Sequence, residues 1–343
     1  MGKLLTIIVL SYERPKLLDT LLFNLVEYIK VLKISSLVDI RIRINPSPGY
    51  EYKNIFKKYS SCDFIEINEN ETNIGSEKSF CREINYIKTP YLWQLGDDDN
   101  IDIEFLRTFI EASKSNYDYI LFNYTYYKII NNKKIDIGTC FDKNERTQVI
   151  DNPLDLIKKY SIHFGFASMN VIKTDVYKRT FFKIDKLALQ YNLPSSNLKP
   201  LLIILNTMIS KYKGFLISES YLQAFHPGDI SFDRPGKPLT NLTFEFKTFF
   251  IYLNYLIKQK SKFLVKKYIK IGYFKRFLWK SIVTTSREDF KSFQKEIRQD
   301  LRYPNISIFV IKVYRFIFRN FILTIKRFGL LTRIRIHGHY NLI

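Results

Sequence analysis

The sequence predicts an α/β fold: a mostly parallel sheet flanked by helices, followed by a basic helical C-terminal region. Two observations support the sheet. Short runs of apolar and β-branched residues end in polar loops, and segments with apolar residues at helical spacing lie between those runs. Strand and helix patterns alternate in this way over residues 4–115. Since parallel strands need long crossover connections, this alternation favours a parallel sheet.

The first half of the chain contains four predicted strands and four predicted helices. Pro15 suits the first turn of a helix, and "VDIRIRIN" alternates with period two before the turn signal "PSPGY". Ser76 is the predicted N-cap of the third helix. In order, the predicted elements are strand 3–10, helix 16–32, strand 38–45, helix 52–59, strand 62–68, helix 75–87, strand 91–95 and helix 102–113.

The predicted elements after residue 115 are less regular. We expect antiparallel strands at 117–130 and 134–141, a helix at 152–160, a strand running into a helix over 163–177, a helix over 196–214 and a strand at 215–225. Gly214 is the predicted C-cap of the helix before it. We place a domain boundary near Pro238, which separates a domain of residues 1–238 from a basic amphipathic helical region of residues 239–343.

Four polar loops follow predicted strands at their carboxyl ends. These loops read "SYERP", "NPSPG", "NETNIGS" and "GDDDN". Ligands of open parallel sheets bind at the carboxyl ends of the strands, near the point where the strand order reverses. The sequence therefore predicts a ligand site where these loops converge.

Three consecutive aspartates, Asp97, Asp98 and Asp99, follow the fourth strand. One interpretation is a helix cap, in which Asp98, Asp99 or Asn100 begins the following helix. One carboxylate is enough for that purpose. The other interpretation is a divalent cation that bridges a diphosphate, with Mg²⁺ or Mn²⁺ favoured by hard oxygen ligands.

Positive charge is concentrated in the C-terminal quarter. Residues 251–343 contain 21 Lys and Arg against 4 Asp and Glu, which accounts for +17 of the net +21. Lys312, Arg315, Arg319 and Lys326 have helical spacing, with apolar residues over most of the remaining surface. This pattern favours a helix in the interface of an anionic membrane. A packed helical subdomain and nucleic-acid binding are the alternatives, and no recognised nucleic-acid module accompanies the patch.

Cys62, Cys81 and Cys140 have neither metal-binding nor redox spacing, so we expect reduced thiols of a cytosolic protein. The apolar run 4–10 is predicted to be a buried strand rather than a signal peptide. No stretch of about 20 uncharged apolar residues occurs, so a spanning helix is not expected.

Three motifs occur together: "TIIVLSYERP", "TNIGSEKSF" and "YLWQLGDDD". In this order and spacing the chain resembles family-two glycosyltransferases with the GT-A fold, and in pattern the abequosyltransferase-like members that decorate bacterial surface polysaccharides. The resemblance covers residues 4–115 well and 160–235 loosely. It implies an enzyme that moves a sugar from a nucleotide-diphosphate-sugar donor to a lipid-linked saccharide acceptor. It also implies a Mg²⁺ or Mn²⁺ cofactor and a peripheral position on the cytoplasmic face of the plasma membrane.

The resemblance also implies roles for individual residues. Asp97 and Asp99 flank the DxD motif, with Asp99 a direct metal ligand and Asp97 on the ribose or the metal. His226 would contact the phosphate or complete the metal shell. The acidic residue that usually ends the second strand and contacts the base is replaced by Asn45. The residues assigned to the donor site are Ser11, Tyr12, Glu13, Arg14, Asn45, Asn73, Gly75, Asp97, Asp98 and His226.

An inverting transfer also needs a carboxylate that accepts the proton of the acceptor hydroxyl. The family's acidic pair is missing here, and Asp185 and Glu219 are the candidate bases. His163 is expected to be a packed strand residue near the acceptor pocket. Two alternatives for the whole chain remain: a sugar-nucleotide nucleotidyltransferase, although its Gly-rich phosphate loop is missing, and a non-enzymatic basic membrane- or RNA-binding protein.

Overall fold

The computed structural model describes residues 2–130, 133–142, 144–190, 199–210, 212–225 and Tyr252. His226, the boundary near Pro238 and all of the predicted C-terminal region except Tyr252 lie outside the described residues. The division into two domains and the basic membrane helix therefore stay predictions.

The first half of the sheet is parallel, as predicted. Its strands are β1 (Leu5–Tyr12), β2 (Val38–Asn45), β3 (Ile65–Glu69) and β4 (Tyr91–Gly96), in the order β3-β2-β1-β4. The connecting helices are α1 (Pro15–Leu32), α2 (Lys53–Tyr59) and α3 (Ser76–Ile84). The strand order reverses between β1 and β4. Their carboxyl ends therefore border the crevice where open sheets bind ligands.

The second half of the sheet is mixed. Its strands are β5 (Asn100–Ile101), β6 (Tyr119–Ile130), β7 (Lys133–Thr139), β8 (Gln148–Ile150), β9 (Asn170–Lys173) and β10 (Gly214–Phe225). Its helices are α4 (Ile103–Ser113), α5 (Pro153–Tyr160), α6 (Thr174–Gln190) and α7 (Lys199–Ile209). The pairing of β7 with β6 is antiparallel, as predicted, and β9 lies antiparallel between β4 and β6.

The core lies between the sheet and its helices. In β1, Ile7, Ile8 and Val9 have no exposed surface, which explains the continuous apolar run in the sequence. In β4, Trp93 stacks on Phe105 of α4 at 4.1 Å between ring centroids. These buried strands hold the loops at their carboxyl ends in fixed positions.

One predicted N-cap is wrong, and the helix-cap interpretation of the three aspartates is not supported. The N-cap of α3 is Gly75 rather than Ser76, because the chain enters the helix at φ 82°, which favours glycine. The N-cap of α4 is Asp102, whose side chain accepts a hydrogen bond from the Glu104 N–H. The three aspartates therefore do not cap this helix.

Two further local predictions are wrong. Gly214 begins β10 instead of ending a helix, and a side chain there would collide with the Tyr119 ring, 2.1 Å from the Cβ position. His163 lies in the 3₁₀ turn Ser161–Gly165 rather than in a strand, since the strand β9 begins only at Asn170. A second 3₁₀ turn, Ala167–Met169, connects the two.

Among the described residues, no helix is both long and apolar enough to cross a bilayer.

Candidate functional site

The carboxyl ends of β1 and β4 place Ser11 beside Asp97. The two strands are parallel neighbours in which Leu10 pairs with Gly96, so the next residue of each strand lies at the same edge. The Ser11 hydroxyl donates to Asp97 Oδ2 at 2.7 Å. This bond joins the first and the fourth predicted loops at the reversal of strand order.

Arg14 adds a cation to this edge. Its NH1 donates to Asp97 Oδ1 at 3.1 Å and to Asp98 Oδ2 at 2.6 Å. Arg14 precedes the first turn of α1, and its carbonyl accepts the Leu18 N–H. The start of the helix therefore aims the guanidinium at the two carboxylates.

Tyr52, which the sequence reasoning missed, supports this arrangement from the loop after β2. Its hydroxyl lies 3.3 Å from Ser11 Oγ and accepts the Arg14 N–H at 3.2 Å. The side chain is 3% exposed. No local pattern marks Tyr52, because its contacts join residues 38 and 41 positions apart.

Glu13 and Tyr12 occupy the same loop. Glu13 adopts φ 60°, a left-handed conformation that is unusual for a residue with a side chain, and accepts a hydrogen bond from the Ser47 hydroxyl at 2.7 Å. Tyr12 is 41% exposed at the end of β1. Both residues thus lie at the edge where the donor site was predicted, and the Glu13 carboxylate contacts Ser47 of the second loop.

Asp99 is held from the opposite side. Its Oδ2 accepts the Gly96 N–H at 3.2 Å and the Ser168 hydroxyl at 2.5 Å. Ser168, in the turn before β9, is a second residue that the sequence reasoning missed. Its contact with Asp99 spans 69 positions.

Burial dominates the electrostatics of the aspartates. It raises the pKa of Asp97 to about 6, with Asp98 adding to the rise while Ser11 and Arg14 oppose it. Burial and then the neighbouring Asp98 raise the pKa of Asp99 well above its usual range. Burial by itself would lower the pKa of Arg14, but Asp98 and Asp97 reverse that effect and raise it. One guanidinium therefore pairs with two of the three carboxylates, Asp97 and Asp98.

The carboxylates of Asp98 and Asp99 converge on Gly96. A Cβ at Gly96 would lie 2.6 Å from Asp99 Oδ2 and 3.1 Å from Asp98 Oδ1, so only glycine leaves room for this approach. In the described part of the chain, Oδ1 of Asp98 and Oδ1 of Asp99 accept no hydrogen bond. These two oxygens and the excess negative charge suit a hard divalent cation.

The fit to a cation differs in detail from the prediction. The carboxylate of Asp97 is engaged by Ser11 and Arg14, whereas Asp98 and Asp99 each keep an oxygen without a partner among the described residues. Within that part of the chain, no three Asp, Glu, His or Cys side chains are arranged to surround a metal. The chain's own carboxylates therefore suit a cation whose other ligands come from phosphate or water.

Asn45 organises the third loop. Its Oδ1 accepts from Asn70 Nδ2 at 2.9 Å, from the Ser79 hydroxyl at 3.1 Å and from the Ile74 N–H at 3.2 Å. Arg82 donates to Asn70 Oδ1 at 2.9 Å and fixes the orientation of that amide. Asn45 is 4% exposed. The residue predicted to contact a base therefore also holds the loop before α3.

That loop carries Asn73 and Gly75. The Gly75 N–H donates to Asn73 Oδ1 at 3.0 Å, and Gly75 has φ 82°. Both residues are exposed. Their backbone and side chains are accessible to a ligand at the edge, and the tight turn needs glycine at position 75.

The strand β6 borders the aspartates on the other side. Burial, followed by the charges of Asp99 and Asp98, raises the pKa of Tyr127, so its ring lies in their field. On the alternate face, the hydroxyls of Tyr124 and Tyr126 are 2.6 Å apart, and Tyr126 Oη lies 3.5 Å from His163 Nδ1. His163 is thus part of a polar chain in this half of the sheet.

The structure gives the two candidate bases other contacts. Asp185 accepts a hydrogen bond from Lys199 at 2.6 Å, and Lys199 also pairs with Glu77. Glu219 is exposed and accepts from the Thr147 hydroxyl at 2.5 Å. Neither carboxylate hydrogen-bonds to residues of the aspartate cluster in the described part of the chain. A role as base stays a prediction for both.

A cavity of about 450 Å³ opens elsewhere, at the edge strand β3. Phe56, Ile65 and Ile67 supply its apolar lining, and no carboxylate lines it. The charged groups converge instead at the aspartate edge, which is therefore the candidate functional site.

The sheet order and its crossovers define the class of fold as GT-A, as predicted from the sequence. The likeness is to solved structures alone. No protein-family model matches the chain, and no curated protein matches it either.

Similar solved structures include those of S. aureus TarS. The structure of TarS residues 1–349 is 13% identical, with a TM-score of 0.63, and the alignment covers 95% of this chain and 92% of that one. The same TarS fragment in complex with UDP-GlcNAc is 12% identical with a TM-score of 0.65, and in complex with UDP 13% identical with a TM-score of 0.60, at the same coverage. At this identity the likeness establishes the fold.

Proposed function

We propose that the chain is a glycosyltransferase that takes a sugar from a nucleotide-diphosphate-sugar donor. The observation that carries this proposal is the edge formed by Ser11, Arg14 and Asp97, where the first and fourth strands bring a guanidinium and three carboxylates to the reversal of strand order. Open sheets bind their ligands at such a crevice. The TarS fold binds UDP-GlcNAc and UDP, which makes UDP-GlcNAc the first donor to test.

The donor occupies the loops at this edge. Arg14 is 37% exposed and faces the diphosphate with a cation while it stays paired with Asp97 and Asp98. Asn73 offers its side-chain NH₂ to the sugar and diphosphate, and the first turn of α3, which follows Gly75, offers backbone N–H groups. Tyr12 offers an exposed ring to the base.

A divalent cation, Mg²⁺ or Mn²⁺, belongs to the proposal. Asp98 and Asp99 would hold it through their Oδ1 atoms, and His226 is a further candidate ligand outside the described residues. Such a cation offsets the negative charge that develops on the departing nucleoside diphosphate. Arg14 keeps Asp97 paired, so this carboxylate positions the loop rather than repelling the donor.

The acceptor and the location follow from the resemblance and the charge map. We propose a family-two, abequosyltransferase-like enzyme that acts, with inversion, on a lipid-linked saccharide in bacterial surface polysaccharide synthesis. The basic residues of 251–343 would attach it to the anionic cytoplasmic face of the plasma membrane. Nucleic acid is not expected as a partner.

The test is a transfer assay with a panel of labelled nucleotide sugars, bacterial lipid extract as acceptor, and Mn²⁺ or Mg²⁺. We expect release of nucleoside diphosphate together with label in the lipid fraction. Asp99→Asn should abolish both. Asp102→Asn is the matched control, because asparagine caps a helix as well as aspartate does, and it should keep full activity. The absence of turnover with every donor in the panel would contradict the proposal.

A further inference from the structure

Ser168 joins the second half of the sheet to the aspartate loop. It lies in the 3₁₀ turn Ala167–Met169 and is 3% exposed. Its hydroxyl accepts the Gly96 N–H at 3.0 Å and donates to Asp99 Oδ2 at 2.5 Å. One buried hydroxyl therefore connects the end of β4 to the last of the three carboxylates.

The position of this hydroxyl is fixed by the core. The Trp93 Nε1–H donates to the Ser168 carbonyl at 2.7 Å, and the Trp93 ring stacks on Phe105 at 4.1 Å between centroids. On the other side of the turn, Asn170 Nδ2 donates to the carbonyls of Phe164 and Phe166. The backbone around Ser168 is thus anchored at both ends, and its hydroxyl has a fixed position against Asp99.

This contact selects one orientation of the Asp99 carboxylate. Oδ2 accepts from Ser168 and from the Gly96 N–H, whereas Oδ1 accepts no hydrogen bond within the described residues. Without Ser168, the backbone N–H at 3.2 Å would be the remaining partner of the carboxylate. The carboxylate could then rotate, because a terminal sp³–sp² torsion is broad.

We propose that Ser168 is a positioning residue that turns Asp99 so that Oδ1 faces a bound divalent cation. The inference rests on the proposed function, since it concerns the cation of the donor complex. Outer partners of this kind orient carboxylate ligands, and their loss weakens metal binding by about 10- to 100-fold. The hydroxyl of Ser168 contacts Asp99 and acts through it.

The experiment measures Mn²⁺ binding to the full chain, without nucleotide, by electron paramagnetic resonance of free Mn²⁺. Ser168→Ala should bind Mn²⁺ at least about 10-fold more weakly than the wild type at an unchanged melting temperature. Trp93→Phe keeps an aromatic ring but removes the N–H bonded to the Ser168 carbonyl, and it should weaken binding less. Thr180→Val is the matched control, because it removes a buried hydroxyl of α6 that accepts a hydrogen bond from Asn206 of α7 and, within the described residues, makes none to the aspartate cluster.

Wild-type affinity in Ser168→Ala would overturn the inference, as would an equal loss in Thr180→Val. If Ser168→Ala does not fold, Trp93→Phe decides, and wild-type affinity there overturns it. A wild-type chain that binds no Mn²⁺ also overturns it. The transfer assay tests the proposed function separately. If the wild type transfers sugar but Ser168→Ala binds Mn²⁺ as tightly as the wild type, only the role of Ser168 is refuted.

Discussion

Asp97→Asn tests the electrostatics of the aspartate edge through the pH dependence of stability. Burial raises the pKa of Asp97 from 3.8 to about 6. The folded protein therefore binds a proton at this group more tightly than the unfolded chain does. The stability gained from protonation is complete below the unfolded value of 3.8 and is lost as the pH rises through about 6.

The magnitude follows from the shift. A rise from 3.8 to about 6 corresponds to about 3 kcal/mol at most, at 1.36 kcal/mol per pKa unit. Between about pH 7.5 and about pH 4.8 the linkage relation gives a gain of about 1.6 kcal/mol. Asparagine keeps the shape of Asp97 without the titration, so the variant should lack this gain.

The assay is urea denaturation of the wild type and Asp97→Asn at both pH values, with a chelator present. We expect the unfolding free energy of the wild type, minus that of Asp97→Asn, to rise by about 1.6 kcal/mol at the lower pH. Asp99 is present in both proteins, so its titration contributes to the unfolding free energy of both. Thr180→Val controls for a general effect, because it changes no titratable group. A wild-type-minus-variant difference that does not change with pH would refute the reasoning.

Four other substitutions give separate tests. Gly96→Ala places a Cβ 2.6 Å from Asp99 Oδ2. The free energy of unfolding, measured in urea, should fall by about 1–3 kcal/mol, and Mn²⁺ binding should weaken. Wild-type values for both would contradict the convergence of the carboxylates on Gly96. Asn45→Leu removes the acceptor of three hydrogen bonds, so the unfolding free energy should fall by about 1–3 kcal/mol. The KM for the donor should rise while kcat is kept, and an unchanged KM would show that the loop does not depend on Asn45. Lys199→Met removes a cation that is 6% exposed and pairs with both Glu77 and Asp185, whose side chains are 27% and 34% exposed. It should cost about 1.5–3 kcal/mol by chemical denaturation, and an unchanged unfolding free energy would argue against stabilising ion pairs at this site. Asp185→Asn tests the predicted role of Asp185 as the base: kcat should fall by more than about 100-fold, and an unchanged kcat would contradict that role.

The parallel half of the fold was predictable because its signals are local. Strands buried on both faces read as continuous apolar runs, as in β1, and helices between them show apolar residues at helical spacing. The short strands β5 and β8 were not predictable in the same way. They have only two and three residues, and their partners lie far away in the chain. The predicted strand running into a helix over 163–177 is confirmed in part, since β9 and the start of α6 lie within it.

The candidate site likewise has residues with a local sequence signal and residues whose place depends on the tertiary fold. Asp97, Asp98 and Asp99 are adjacent in sequence, and their loop follows a buried strand, so their place at the sheet edge could be predicted. Ser168 and Tyr52 could not, because a single buried hydroxyl has no periodic pattern and its partner is fixed only by the tertiary fold. The N-cap of α3 was not predicted correctly because backbone conformation, rather than side-chain type, selects Gly75, as its positive φ shows.

The proposed donor site depends on nucleotide binding that requires the aspartate edge. The direct measurement is isothermal titration of UDP and UDP-GlcNAc, and then of other nucleoside diphosphates, into the full chain with Mn²⁺, for the wild type, Asp99→Asn and Asp102→Asn. The account predicts saturable binding by the wild type and Asp102→Asn, with binding by Asp99→Asn weakened by at least about 10-fold. Equal binding by all three proteins, or no binding of any nucleoside diphosphate by the wild type, would contradict it.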